Sequence, residues 1–360
     1  MHELYEALTR DRRLRADELV YAASEHVPEL PTREQVAAER ELLQKDKQGL
    51  EVAQGAFLGD VLADPESGRH LIDTMLRPTQ LALDHLDELR ASGRVDLARA
   101  TVERRGRVGV VELRNPRHLN AEDDTTTGPF EAAIDLVLLD DAIEIGVLRG
   151  GVVDHERYAG RRIFGAGLNL THLYRGKISY LFFPVRDLGL VHKVFRGLSE
   201  PRVEKLWIAA AETYAIGGAC QLLLCVDHIV AEEGCRCTLP ARNEGIIPGA
   251  ANLRLPRFVG DRRARQAILS GAELAPEELA DEIVPVGAMD EAIERRADAL
   301  LTSGAVSGIA NRRALRIAQE PIEIFREYMA VYAREQAVCH FSPALIRNLE
   351  ENWRAHERRD

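Results

Sequence analysis

The 360-residue chain carries 47 Lys and Arg against 58 Asp and Glu, a net charge of −11, with 46% hydrophobic residues. That balance argues against a nucleic-acid binder, whose footprint is basic. It also supplies enough apolar mass for one large core plus an accessory region. The opening Met1-His2-Glu3-Leu4-Tyr5-Glu6 has neither a basic nor an apolar leader segment, so no signal peptide is expected and the expected compartment is the cytoplasm. The apolar stretch 222–230 is interrupted by Asp227 and His228 and is too short to span a bilayer. Five cysteines without framework spacing fit a reducing compartment, and the close pair Cys235 and Cys237 lacks the further ligands of a metal site.

Residues 1–100 read as helical, an accessory or assembly region without a strand-like run. Segment 33–48 is dense in Glu, Gln, Ala, Leu and Lys, which favour helix. Leu81, Leu83, Leu86 and Leu89 give an amphipathic spacing that ends at Ser92-Gly93. Over 101–290 the rhythm changes to an α/β core. Short β-rich runs at 108–113, 145–148, 207–211 and 228–231 alternate with helical stretches such as 129–141. Segment 291–360 is helical again, with Ile324, Phe325, Met329 and Tyr332 forming an apolar face after residue 322.

The chemistry concentrates in four short stretches. In Ala215-Ile216-Gly217-Gly218-Ala219-Cys220-Gln221, a strand breaks at two glycines and a helix starts at once. Backbone without a Cβ lets a ligand come close, and the first free N–H groups of a helix point at it. Such donors stabilise an oxyanion. Upstream, Arg161-Arg162-Ile163-Phe164-Gly165-Ala166-Gly167-Leu168-Asn169-Leu170 follows the 145–148 strand. The third stretch is Leu239-Pro240-Ala241-Arg242-Asn243-Glu244-Gly245-Ile246-Ile247-Pro248-Gly249. The fourth is the strand 109–114 with Asn115-Pro116 and Leu119-Asn120-Ala121.

In this order the four stretches resemble the crotonase (enoyl-CoA hydratase/isomerase) superfamily over roughly residues 105–290. The resemblance implies a spiral of ββα units, with C-terminal helices that cover the site and join subunits into a trimer or hexamer. It also implies that the N–H groups of Leu168 and Gly218 hold the thioester oxygen of an acyl-CoA. The family's hydratases carry glutamates at the positions of Gln221 and Ala241. An amide and a methyl group cannot supply that acid–base chemistry.

The longer stretches 158–174, 207–210, 215–221, 239–249 and 252–260 are similar to one branch of the superfamily. These are cofactor-free dioxygenases that turn 3,5-dihydroxyphenylacetyl-CoA and O2 into the arylglyoxylate and free CoA. That likeness implies catalysis by Leu168, Gly218 and Gln221. It implies ring recognition by Glu122, Arg186 and Gln221, and acyl-CoA contacts from His155, Tyr158, Ala166, Gly167, Asn169 and Arg242, with Arg161 or Arg162 near the phosphates. Leu170, Ile216 and Ile246, with Ile247, are expected to form a dry niche for O2. No metal or flavin is expected, since no motif for either is present. His172 reads as structural rather than as a general base. Two other readings stand beside this one: a hydratase, isomerase or thioesterase using Glu244 or Glu122, and a non-catalytic acyl-CoA-binding subunit.

Overall fold

The computed structural model describes residues 2–302 and 304–358. Among the described residues nine strands appear: β1 (Arg94–Asp96), β2 (Ala100–Arg105), β3 (Val108–Leu113), β4 (Ile145–Gly150), β5 (Leu206–Ala211), β6 (Tyr214–Ile216), β7 (His228–Glu232), β8 (Arg236–Thr238) and β9 (Glu282–Val284). Seven form one sheet in the order β1-β2-β3-β4-β5-β7-β9. The first three are antiparallel neighbours, and the pairings from β3 onward are parallel. β6 and β8 make a separate parallel pair. Every residue of β4 and β5 is buried, which is why those strands read as apolar runs rather than as alternating patterns.

The same turn of chain recurs four times. Each lays a strand in the large sheet, then a short extended segment, then a helix. β3 leads to Glu122 and the helix Asp124–Leu139, and β4 leads to Gly165 and Leu168 and the helix Leu170–Tyr174. β5 leads to β6 and the helix Gly218–Leu223, and β7 leads to β8 and the helix Ala241–Glu244. Glu122 bridges Leu168, Gly165 bridges Ala215, and β6 pairs β8, so the four extended segments lie side by side. This is the expected ββα spiral.

The sheet is covered on both faces. Val110, Val147, Ile208 and Val230 pack on Met289, Ala292, Ile293 and Ala297 of the helix Met289–Thr302. Val111, Leu148, Trp207 and Ala209 join Phe130, Ile134 and Val137 on the other face. A separate apolar core unites the N-terminal helices with Phe182, Phe183 and the helix Ile322–His340. There the helix Val52–Ala63 lies against Ile322–His340 at backbone distance. A Cβ on Gly55 would stand 2.3 Å from that of Ala337 and 2.7 Å from the carbonyl oxygen of Ala333.

Several local expectations need correction. The first hundred residues are not all helical, because β1 and the start of β2 fall inside them. Gly93 ends the preceding helix in the left-handed conformation, and only Val95 of the three-residue β1 is buried, too short a signal to read. The 33–48 helix stops at Glu39, although Thr32 caps it as a helix start should. Beyond it, Gln44 donates to the carbonyl of His340 at 2.8 Å and Glu39 accepts from the N–H of Gln48, so tertiary ties override helix propensity. Leu81 and Leu83 are exposed, and Ala82 and Leu89 face the core. The helix expected at 129–141 begins at Asp124, where Asp123 caps it, and Pro129 lies inside it. The C-terminal helical stretch is divided into Ile322–His340, Pro343–Arg347 and a wider turn at Asn348–Asn352. Among the described residues no helix is long and apolar enough to cross a membrane.

Candidate active site

A buried asparagine aligns the site. Leu119 and Asn120 are both left-handed, with φ of 53° and 56°. Asn120 Oδ1 accepts from the N–H of Asn115 at 2.9 Å, and its Nδ2 donates to the carbonyls of Gly151 and Ile163, each at 2.8 Å. This turn lays Glu122 beside the next segment. Its N–H donates to the Gly167 carbonyl at 2.7 Å, and its own carbonyl accepts from Asn169 N–H at 2.8 Å. One segment further, Ile216 N–H donates to Gly165 and Gly217 N–H to Thr238.

These bonds use the Gly167 carbonyl and the Asn169 N–H on either side of Leu168, and the N–H before Gly218. The N–H groups of Leu168 and Gly218 themselves have no acceptor among the described residues. Their loops touch through backbone. Gly167 has φ +80°, and a Cβ there would lie 2.9 Å from the carbonyl oxygen of Ile216. Gly217, at φ +53°, would bring a Cβ to 3.5 Å from Gly167 Cα. Only glycine allows both the left-handed turn and the approach. Two unsatisfied donors on adjoining loops are what an oxyanion hole requires.

Beside Gly218 sits a buried ion pair. Arg186 donates from Nε and Nη2 to the two oxygens of Glu122 at 2.6 and 2.8 Å. It also donates to Gln221 Oε1 at 3.0 Å and to the Gly218 carbonyl at 2.8 Å. A bidentate pair of this kind is strong and geometrically specific. The Glu122 carboxylate raises the pKa of Arg186 despite its full burial. Because a guanidinium can only donate, Gln221 must turn its oxygen to Arg186, which leaves its NH2 as a donor toward the cavity it lines.

That inner cavity is about 30 Å3, lined by Glu122, Arg186, Gln221, Glu244 and Leu168 with a wall of Phe182, Phe183, Ile246, Ile247 and Tyr332. Past Leu168 and Glu244 a cleft of about 570 Å3 opens, reaching Tyr158, Tyr214 and Trp353. A second cleft, of about 320 Å3, runs from Leu168 toward Arg117, His118 and His155. Leu168 borders all three spaces. Glu244 retains some solvent access as a residue, through the cleft, yet protein crowds its carboxyl group and that desolvation pushes its pKa up to about 7.

The enoyl-CoA hydratase/isomerase family pattern matches residues 103–320. The chain belongs to that family. A (3,5-dihydroxyphenyl)acetyl-CoA 1,2-dioxygenase from Amycolatopsis orientalis is 47% identical over 359 residues, covering 96% of this chain and 82% of that protein. A short-chain-enoyl-CoA hydratase from Clostridium acetobutylicum is 28% identical, covering 56% of this chain and 70% of its own length. Among solved structures, an enoyl-CoA hydratase from Mycobacterium avium subsp. paratuberculosis superposes with a TM-score of 0.60 at 17% identity. It covers 71% of this chain and 99% of its own, and shows the shared fold.

Within this family frame, the structure brings Leu168, Gly218, Gln221, Glu122 and Arg186 together around one cavity, and Ile246 and Ile247 with them. Tyr158 and Ala166 line the outer cleft, and His155, Ala166 and Asn169 line the second. Gly167 acts through backbone. Asn169 works as a clasp, capping the helix Leu170–Tyr174 through His172 N–H and donating to Asp123 at 3.1 Å.

Other expected residues lie outside the inner cavity. Leu170 and Ile216 line the outer cleft, while Ile246 lines the cavity. Arg242 is exposed and lines none of these spaces: on its helix, Ala241 and Glu244 face the cavity, which turns Arg242 outward. Arg161 and Arg162 are drawn to Glu232 and Glu112. The arginines that do reach the clefts are Arg117, Arg157, Arg236 and Arg358. Sequence reasoning also passed over the aromatic wall. Phe182 and Phe183 stand four and three residues before Arg186, one helical turn away, and that spacing was the available signal.

Proposed function

We propose that this chain is a dioxygenase that converts 3,5-dihydroxyphenylacetyl-CoA and O2 to 3,5-dihydroxyphenylglyoxylate and free CoA, without metal or flavin. The observation that carries the reading is the pair of unsatisfied N–H donors at Leu168 and Gly218, flanked by Gln221 and Ala241 where a hydratase needs two carboxylates. Such a site can stabilise an enolate but cannot add water through the family's glutamate pair. The extensive likeness to the Amycolatopsis dioxygenase supports the same reaction.

The thioester oxygen would accept from both N–H groups as the Cα proton leaves. Each such donor contributes on the order of 3–4 kcal/mol in known oxyanion holes. The resulting carbanion passes one electron to O2, the radicals recombine at Cα, and the peroxide attacks the thioester carbon and expels CoA. Loss of the second Cα hydrogen as the O–O bond breaks leaves the arylglyoxylate, so atoms and electrons balance. The inner cavity is small, about 30 Å3, and its wall of Phe182, Phe183, Ile246 and Ile247 is apolar, which suits O2. Glu122 and the Gln221 amide would meet the ring hydroxyls, and Arg186 behind them is a positioning residue.

We also propose a cytoplasmic homo-oligomer, a trimer or hexamer. Its support is the exposed stripe of Ile324, Val331 and Val338, seven residues apart on the helix Ile322–His340.

The test is oxygen uptake and thiol release on adding the arylacetyl-CoA, with and without a chelator. Stoichiometric uptake that survives chelation, in protein without flavin absorbance, supports the proposal. Thiol release without oxygen uptake would make the protein a thioesterase, and no turnover would leave a binding subunit.

A further inference from the structure

Three carboxyl groups line the inner cavity: Glu122, Asp187 and Glu244. Glu122 is held by Arg186 through both oxygens. Asp187 accepts from Ala250 N–H at 3.1 Å and from the Tyr332 hydroxyl at 3.4 Å. Glu244 alone has neither a hydrogen bond nor an ion pair from its side chain among the described residues, and it borders both the cavity and the outer cleft. An acyl chain entering from that cleft must therefore pass it.

Its aim is set by backbone. Ala241 and Glu244 sit three apart on one short helix, so they share a face. The carboxylate thus lies one turn along from the alanine where the hydratases keep a glutamate. Gly245, at φ +90°, ends that turn with its N–H on the carbonyls of Ala241 and Arg242. A Cβ there would come within 2.9 Å of Leu345 Cα, so the C-terminal Pro343–Arg347 helix pins the turn from outside. Desolvation leaves the carboxyl with a pKa of about 7, which suits a group that must accept and release protons near neutrality.

We infer that Glu244 is the general base that takes the Cα proton of the acyl thioester, an assignment that rests on the arylacetyl-CoA reading above. The Cα–H bond breaks, the proton goes to a Glu244 oxygen, and the electron pair moves onto the thioester oxygen facing Leu168 and Gly218. When CoA leaves as thiolate, the protonated Glu244 returns that proton to sulfur. The base is then ready for the second Cα proton, which departs as the O–O bond opens.

Deprotonation can be watched apart from oxygenation. Under strict anaerobiosis in D2O, wild-type protein should exchange the Cα hydrogens of 3,5-dihydroxyphenylacetyl-CoA, read by mass spectrometry. Glu244→Gln should slow this exchange and aerobic oxygen uptake together, each by about 10²–10⁴-fold. Binding of 3,5-dihydroxybenzoyl-CoA, which has no Cα hydrogen, should be unchanged. Glu244→Asp keeps the charge and should retain measurable exchange, separating a missing base from a disordered site. Exchange in Glu244→Gln within threefold of wild type would overturn the assignment while leaving the dioxygenase standing. So would loss of exchange in Asp187→Asn with retention in Glu244→Gln. A wild type that neither exchanges nor consumes O2 would overturn the underlying reading instead.

Discussion

Gln221→Glu tests the electrostatics of the cavity with almost no change of shape. In the wild type one guanidinium serves Glu122 through two bonds and the Gln221 oxygen through a third. Replacing the amide NH2 by oxygen removes the donor that faces the cavity and puts a second carboxylate on Arg186. A negative charge there opposes the enolate forming at Leu168 and Gly218. At a separation of about 5–6 Å and an effective dielectric of about 20, the repulsion is about 3 kcal/mol. Arg186 offsets part of it, so dioxygenation should fall by roughly one to three orders of magnitude. Hydratase activity should not appear, because Ala241 still leaves the partner acid missing. Burial and Glu122 both raise the pKa of the new carboxyl. Lowering the pH therefore neutralises it, and the variant-to-wild-type ratio of initial oxygen-uptake rates should rise toward one as pH falls. A variant that consumes oxygen at the wild-type rate across pH would show that residue 221 does not adjoin the reacting centre.

Gly218→Ala places a methyl 2.5 Å from Glu122 Oε1 and 3.0 Å from Arg186 Nη2, displacing the donor beside it, and steady-state kinetics should show kcat lower by about 10²–10³. For wild-type enzyme, kcat/KM should fall about tenfold per pH unit below about 7 and flatten above, because Glu244 must be ionised to act. The groups sharing its spaces are Glu122, Arg186, Asp187 and Tyr332 inside, and Arg157, Tyr158, Tyr214, Arg236 and Glu273 in the cleft. Of these, burial also raises Asp187, so the limb should vanish in Glu244→Gln and persist in Asp187→Asn. Arg186→Met leaves Glu122 as an unpaired buried charge and should cost about 3–5 kcal/mol in denaturant unfolding, partly recovered in Arg186→Met/Glu122→Gln.

The buried strands and the two oxyanion loops are local in their causes, and the chain alone determined them. Buried strands such as β4 and β5 need unbroken apolar runs, and the close approach at Gly167 and the positive φ at Gly217 need glycine, so both leave marks that a linear reading finds. The loss of the hydratase carboxylates was equally legible, because Gln221 and Ala241 are single positions inside a recognisable frame. Where the chain hid its meaning, the determining contact lies far away in sequence. Arg186 and Glu122 are 64 residues apart, so only folding shows that each neutralises the other instead of meeting solvent. Arg242 and Glu244 look equally available on paper, and it is the rotation of one short helix against Leu345 that turns the first outward and the second toward the cavity. Leu170 and Ile216 are as apolar as Ile246, but the wall between cleft and cavity runs through Leu168, and no pattern of hydrophobicity encodes a wall. The N-terminal helices gave no sign that they would share a core with Ile322–His340 behind Phe182 and Phe183, because that core forms only when the two ends of the chain meet.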